Sequence, residues 1–235
     1  RIEARTGFVE LHQTICEAAG VLPSSRTIGP MQQVETFAMR LGRARGMRFP
    51  SFFGYEGGAR RTDGDEDTSK LFDGAFVLKP TRLGIIENVH VCDFSRLYPS
   101  IAQTWNLSFE TLYKRATEVA PGEERPPGVC VAPGSGHWFR TEPRGLLPFV
   151  FDEMLRQRAI HDDVKKALPP GSPAWNDADR LSTAYKNMTN AAFGVTGSRW
   201  SRLFQVEVAE SMPLGGAHLI QRVIAEGERE GIETF

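Results

Sequence analysis

Residues 85–101 restrict the fold and chemistry of this chain more than any other stretch. Residues 85–92, Ile-Ile-Glu-Asn-Val-His-Val-Cys, are apolar at both ends and β-branched at four positions. That composition predicts a strand. Side chains alternate faces along a strand, so Asp93 is expected on the face of Val89 and Val91. A carboxylate there is costly without a partner. A hard cation is one suitable partner, because oxygen ligands suit Mg²⁺. A surface aspartate that merely closes a strand is the simpler reading of Asp93 taken alone. Pro99 is expected to hold Tyr98 extended and to open a helix as its first residue.

The nine residues Asp93-Phe94-Ser95-Arg96-Leu97-Tyr98-Pro99-Ser100-Ile101 say more than the aspartate does. They resemble motif A of the family B DNA polymerases, D-x-x-S-L-Y-P-S-I, at eight of nine positions. Arg96 stands where that family usually has serine. Lys186-Asn187-Met188-Thr189-Asn190-Ala191-Ala192-Phe193-Gly194 resembles motif B, K-x-x-x-N-S-x-Y-G. Ala191 there replaces the serine and Phe193 the tyrosine. A third block, Gly145-Leu146-Leu147-Pro148 and on to Arg158, is similar to the start of the first fingers helix. The three occur in family order, and the combination is far more specific than any one of them.

Composition bounds what else the chain can be. Its 235 residues are 40% hydrophobic and 24% charged, enough for a sizeable core. The net charge of −1 gives no global basic field, so any DNA contact must come from local clusters. The three cysteines, Cys16, Cys92 and Cys130, are far apart and show no metal spacing. They suggest no disulfide framework and fit a reducing compartment. No signal peptide or long apolar run is present, so neither secretion nor a membrane is expected. A cytoplasmic or host-cell interior location follows.

Residues 1–50 read as helical. Phe8, Leu11, Ile15 and Ala18 or Ala19 recur at helix spacing before Gly20. Val34, Phe37, Ala38 and Leu41 do the same before Gly42 and Gly46. Asp63, Asp65, Glu66 and Asp67 lack the glycine and distal glutamate of a calcium loop and read as solvated. Residues 72–80 read as a strand and turn. Residues 102–144, rich in proline and glycine at their centre, read as irregular surface, with His137 in a structural role. Residues 145–194 read as a helical hairpin broken at Pro169-Pro170-Gly171. Leu147, Phe151, Met154 or Leu155, Ile160 and Val164 form the apolar side of its first helix. The second is expected to start at Ser172-Pro173 and to bury Leu181, Tyr185, Met188 and Ala192. Lys186, Asn190 and Phe193 fall on a different face. Residues 203–208 read as a strand, followed by a helix that closes near Gly231.

The resemblance implies an α+β fold: a partial polymerase palm sheet with an inserted helical fingers hairpin. Residues 1–50 would be a helical linker following an exonuclease domain that is not in this sequence. Residues 51–113 would be the first part of the palm, with motif A. Residues 114–194 would be a loop and the fingers, with motif B. Residues 195–235 would be the second part of the palm, ending before motif C, Y-G-D-T-D-S. The implied reaction is template-directed addition of dNTPs to a primer 3′ end by a two-metal mechanism, with two Mg²⁺ ions. Asp93 would be the catalytic aspartate, and Asp93 and the Phe94 carbonyl metal ligands. Leu97, Tyr98, Arg158, Lys186 and Asn190 would bind the nucleotide, with Tyr98 under the sugar. Gly74, Ala75, Phe193, Gly194, Arg199 and Arg202 would contact DNA. Asp162 stands where the family places a second basic residue, so either Lys165 substitutes or the triphosphate clamp is weaker. The 93 positions between Asp93 and Lys186 leave little room for the insertion of protein-primed relatives, so the expected primer is nucleic acid. The partners implied are primer-template DNA, dNTPs and a second polypeptide or C-terminal part carrying motif C and the thumb. Without that part the chain is expected to be inactive. The competing expectation is a non-catalytic DNA-binding or structural subunit derived from such a polymerase, which Arg96, Asp162 and Ala191 favour.

Overall fold

The computed structural model describes residues 7–24, 29–49, 76–79, 84–198 and 200–233. The order is α1 (Phe8–Ala19), α2 (Pro30–Ala44), α3 (Leu97–Thr104), β1 (Leu112–Lys114), β2 (Val129–Val131), β3 (Trp138–Arg140), α4 (Leu146–Lys166), α5 (Pro173–Thr196) and α6 (Val206–Arg229). The fold is therefore helices with one small antiparallel sheet, of strand order β1-β3-β2. The mixed class matches the sequence reading.

The N-terminal helices form where the spacing of apolar residues places them. Gly20, at φ 78°, closes α1, and its N–H donates to the Cys16 carbonyl at 2.9 Å. Pro30 opens α2 in the first turn, where its missing N–H costs nothing. Both helices pack on α5. Val34, Phe37 and Ala38 join Val150, Phe151, Met154, Tyr185 and Met188 in one core. The hairpin is also present. Residues 167–172 connect α4 to α5, and the Ser172 hydroxyl caps α5 by accepting from the Trp175 N–H at 3.3 Å. Burial on α4 is confined to its first half, however. Ile160 and Val164, expected on the apolar side, are exposed because the hairpin tip extends past the core.

Side chains from elsewhere in the chain cap the start of α4. Gly145, its N-cap, has no side chain to offer. The Gly145 N–H donates instead to Asn106 Oδ1 at 2.8 Å, and the Leu147 N–H to Ser108 Oγ at 3.1 Å. The Leu146 N–H donates to Glu110 Oε1. The fourth position is Pro148, which has no N–H, so every orphan donor at this end of the helix is satisfied. Asn106 Nδ2 donates in turn to the carbonyls of Arg140 at 2.8 Å and Pro143 at 2.9 Å. A Cβ on Gly145 would stand 2.7 Å from Ser108 Cβ, so the cage closes only around glycine.

Five expectations are corrected. Residues 85–92 form no strand. Ile85 and Val91 are 98% and 91% exposed. Strand propensity is a preference for a paired, half-buried surface, and no described strand lies beside this segment. The same holds for residues 76–79, which form no strand. The sheet lies instead within residues 112–140, read from the sequence as irregular. Its strands have three residues each, too few to show alternation; buried Phe139 and Trp138 anchor them. Residues 203–208 do not form a strand. They turn and enter α6 at Val206, with Val208, Ala209 and Met212 buried. A short apolar run is ambiguous between the two periods. Finally, α3 begins at Leu97, so Tyr98 is helical rather than extended. Pro99 sits within the first turn, where no intrahelical N–H bond is lost.

His137 is structural, as expected. Its Nδ1 accepts from the Ala116 N–H at 2.8 Å, and its Nε2 pairs with Glu210 on α6. All three cysteines are free. Among the described residues no helix is long and apolar enough to cross a membrane.

Candidate active site

The turn before α3 and the exposed face of the α4–α5 hairpin enclose a cleft of about 640 Å³. Three separate segments line it. Residues 93–99 supply Asp93, Phe94, Ser95, Arg96, Leu97, Tyr98 and Pro99. Helix α4 supplies Leu155 and Arg158, and α5 supplies Lys186, Thr189, Asn190 and Phe193. The cleft thus gathers every residue named from the sequence as a nucleotide or metal contact, together with Phe193.

Packing beneath the cleft sets its geometry. Gly215 and Gly216 on α6 let α3 approach closely. A Cβ on Gly215 would meet Ile101 Cγ2 at 3.2 Å, and one on Gly216 would meet Leu97 Cδ2 at 3.3 Å. Tyr98 is half-buried, and its ring packs on Phe193 with centroids 4.9 Å apart and planes tilted by 44°. That contact joins the motif A turn to α5. On the inner side of α5, Tyr185 stacks on His161 at 6.0 Å and meets Phe37 edge-on. Burial pushes the Tyr185 phenol above its usual range, so it packs as a neutral ring.

The charges on the hairpin are shared unevenly. Lys186 and Asn190 are exposed on α5. Arg158 has Asp162 one turn away, with Nε 3.6 Å from Oδ2. That separation is too long for a hydrogen bond, and Arg158 Nε is buried without a hydrogen-bond partner. Asp162 does not line the cleft. Its Oδ1 accepts from the buried Ser182 hydroxyl at 2.6 Å, tying α4 to α5. Nor does Lys165 replace the second basic residue in the cleft. It pairs with Asp179 at 2.6 Å and lies 5.3 Å over the Trp175 ring.

The remaining sequence-named residues stand apart from the cleft. Gly194 is exposed on α5, with open space around its Cα. Arg202 pairs with Glu35 of α2, which is only 4% exposed, and its own N–H donates to the same carboxylate. Much of its charge therefore serves the fold. Gly74, Ala75 and Arg199 lie outside the described residues. Sequence reasoning missed Thr189 and Leu155. Spacing signals both: Thr189 lies one turn from Lys186, and Leu155 one turn before Arg158.

A divalent cation is tested against these groups directly. Asp93 is exposed, and among the described residues it is the only carboxylate lining the cleft. Among the described residues, no group of three His, Cys, Asp or Glu side chains converges to hold a metal. One carboxylate plus a neighbouring carbonyl suits a single Mg²⁺ that takes its other ligands from phosphates and water. It does not complete a two-ion centre.

Residues 22–232 match the family model described as DNA polymerase family B. The chain belongs to that family. It is 33% identical over 171 residues to DNA polymerase 2 of Aeropyrum pernix, covering 72% of this chain and 20% of that protein. It is 28% identical over 226 residues to the DNA polymerase delta catalytic subunit of Arabidopsis thaliana, covering 92% of this chain and 19% of that one. The family B DNA polymerase structure from Pyrobaculum calidifontis superposes with a TM-score of 0.73 at 29% identity, covering 99% of this chain and 28% of that one. The chain therefore spans about a fifth of the length of the curated relatives that it matches.

Proposed function

We propose that this family B chain forms the nucleotide-binding half of a DNA-directed DNA polymerase active site, acting on primer-template DNA and dNTPs. The observation that carries the reading is the convergence of Asp93, Tyr98, Arg158, Lys186 and Asn190 on one cleft from three segments. A cleft of about 640 Å³ is of the size that takes a nucleotide. In this reading the α4–α5 hairpin is the fingers. Arg158 and Lys186 bind the triphosphate, the first as a bidentate fork and the second as a point charge. Asn190 donates beside them, and Leu97 and Tyr98 receive the sugar from the opposite wall. A 2′-hydroxyl pressed against the Tyr98 ring loses its water without gaining a partner. Asp93 and the Phe94 carbonyl would hold Mg²⁺, and a second carboxylate would have to come from outside the described residues. Such ions would supply neutralisation of triphosphate charge and a lowered pKa for the primer hydroxyl.

That Asp93 is the one carboxylate of the cleft among the described residues also favours a second reading, a non-catalytic DNA-binding or structural subunit. Primer extension separates the two. The chain alone is expected to extend nothing in Mg²⁺. Joined to a segment bearing Y-G-D-T-D-S, it is expected to extend a primer by template, and Asp93→Ala should abolish that. In the same preparation Tyr98→Ala should raise the kcat/KM ratio of ribonucleotide to deoxynucleotide. A joined chain that never extends, or whose extension survives Asp93→Ala, overturns the polymerase reading.

A further inference from the structure

Arg96 is the departure from motif A, and it lies on the cleft. It lines the cleft together with Asp93 and Tyr98, on a different segment from Arg158 and Lys186. It is exposed and has no ion-pair partner among the described residues. Its backbone is left-handed, with φ 59° and ψ 42°, at the N-cap of α3. An L-residue other than glycine, asparagine or aspartate pays for that conformation. Arginine also caps a helix poorly, since it offers no side-chain acceptor to the first N–H groups. Neither local geometry nor capping explains an arginine at this position.

The opposite wall shows the need for that charge. Asp162 offsets part of the Arg158 charge, and Lys165 is engaged by Asp179 and Trp175 away from the cleft. Two cations, one of them partly compensated, then face a ligand tail of three phosphates. We propose that Arg96 is a third anion-binding residue of the cleft, gripping the phosphate tail of a nucleoside triphosphate from the wall opposite Arg158 and Lys186. This rests on the nucleotide reading of the cleft given above. The guanidinium fork matches two phosphate oxygens at once, and its charge does not titrate near neutral pH.

Titration calorimetry of the 235-residue chain with dATP and with inorganic tripolyphosphate, both in Mg²⁺, tests the assignment. Arg96→Ser should weaken both ligands about tenfold, the loss of one charge-assisted hydrogen-bonded contact. Arg96→Lys should recover part of the affinity, since it keeps the charge and loses the fork. Serine is the better N-cap, so melting temperature should hold or rise. Unchanged affinity in Arg96→Ser, while Lys186→Ala still loses about tenfold, overturns the role of Arg96 and leaves the nucleotide reading standing. If the parent chain binds neither ligand, or Lys186→Ala changes nothing, the nucleotide reading itself fails. Arg96→Gly suits the left-handed turn and guards against misfolding. Full affinity in Arg96→Gly together with weak binding in Arg96→Ser would make the effect conformational and also overturn the proposal.

Discussion

Arg158, Lys186 and Asn190 stand on helices tied down by buried hydrogen bonds. Asp93, across the same cleft, ends a segment whose apolar side chains face solvent. The hairpin wall is fastened at its base by Asn106, Ser108 and Glu110 on the α4 N-terminus. Arg144 adds a fork to Asp152 at 2.8–3.0 Å and a bond to the Gln103 carbonyl at 2.8 Å. Farther out, Asp162 and Ser182 link the two helices. Residues 84–94 show no backbone hydrogen bond to any other described residue. The difference follows from secondary structure. A helix satisfies its backbone internally and needs help only at its ends, whereas a strand needs a neighbour along its whole length. One wall is fastened within the described residues, and the other pairs with no strand among them.

The sharpest way to break this comparison is to cut the fastening of the hairpin. Asn106→Ala removes a donor shared by the Arg140 and Pro143 carbonyls and the acceptor of the Gly145 N–H. Asn106 is 4% exposed and has φ 51°, a conformation that asparagine tolerates better than alanine. Buried groups left without partners cost about 1–3 kcal/mol each, so a loss of about 3 kcal/mol is expected. Urea unfolding measures it. A loss below about 1 kcal/mol would show that packing, not capping, holds the hairpin.

The next effect is smaller and lies farther along the same wall. Ser182→Ala leaves Asp162 without its hydroxyl donor and is expected to cost about 1 kcal/mol. In a double-mutant cycle with Asp162→Ala, the coupling should account for most of that value. Asp162→Lys should not tighten nucleotide binding, because position 162 points at Ser182 rather than into the cleft. A lower apparent KM for dNTPs in that variant would return Asp162 to the cleft wall.

What was legible in the sequence divides along the same line. Helices announce themselves locally: Gly20 and Ser172-Pro173 mark ends that the structure confirms. The motif letters also brought together Asp93, Tyr98, Arg158, Lys186 and Asn190 before any geometry was known. Strand pairing was not legible, because it depends on residues distant in sequence. Ile85, Val89 and Val91 have strand composition without a described partner, while Leu112–Lys114 pairs with β3 in a run too short to read. The place of Asp162 was not legible for a related reason. Arg158, Asp162 and Lys165 lie at i, i+4 and i+7 in the sequence, but the bond of Asp162 to Ser182 depends on how the two helices pack.

The smallest expected effect is also the most direct check on the exposed wall. Val91 is 91% exposed and packs on nothing that its removal would uncover. Exposed substitutions away from caps, charges and strained backbone change stability by less than about 0.5 kcal/mol. Val91→Ser in this chain should therefore leave the urea midpoint in place, although valine is a core residue in most strands. The result sharpens if the variant is repeated in the chain joined to a motif C segment. A strand laid against residues 85–93 would bury Val91, and the same substitution should then cost about 1–2 kcal/mol. A large loss in the chain alone would show that residues 84–94 already pack as a strand does, and the contrast between the two walls would fail. Equal, negligible losses in both preparations would place the partner strand elsewhere and leave Asp93 at the end of a solvent-exposed loop.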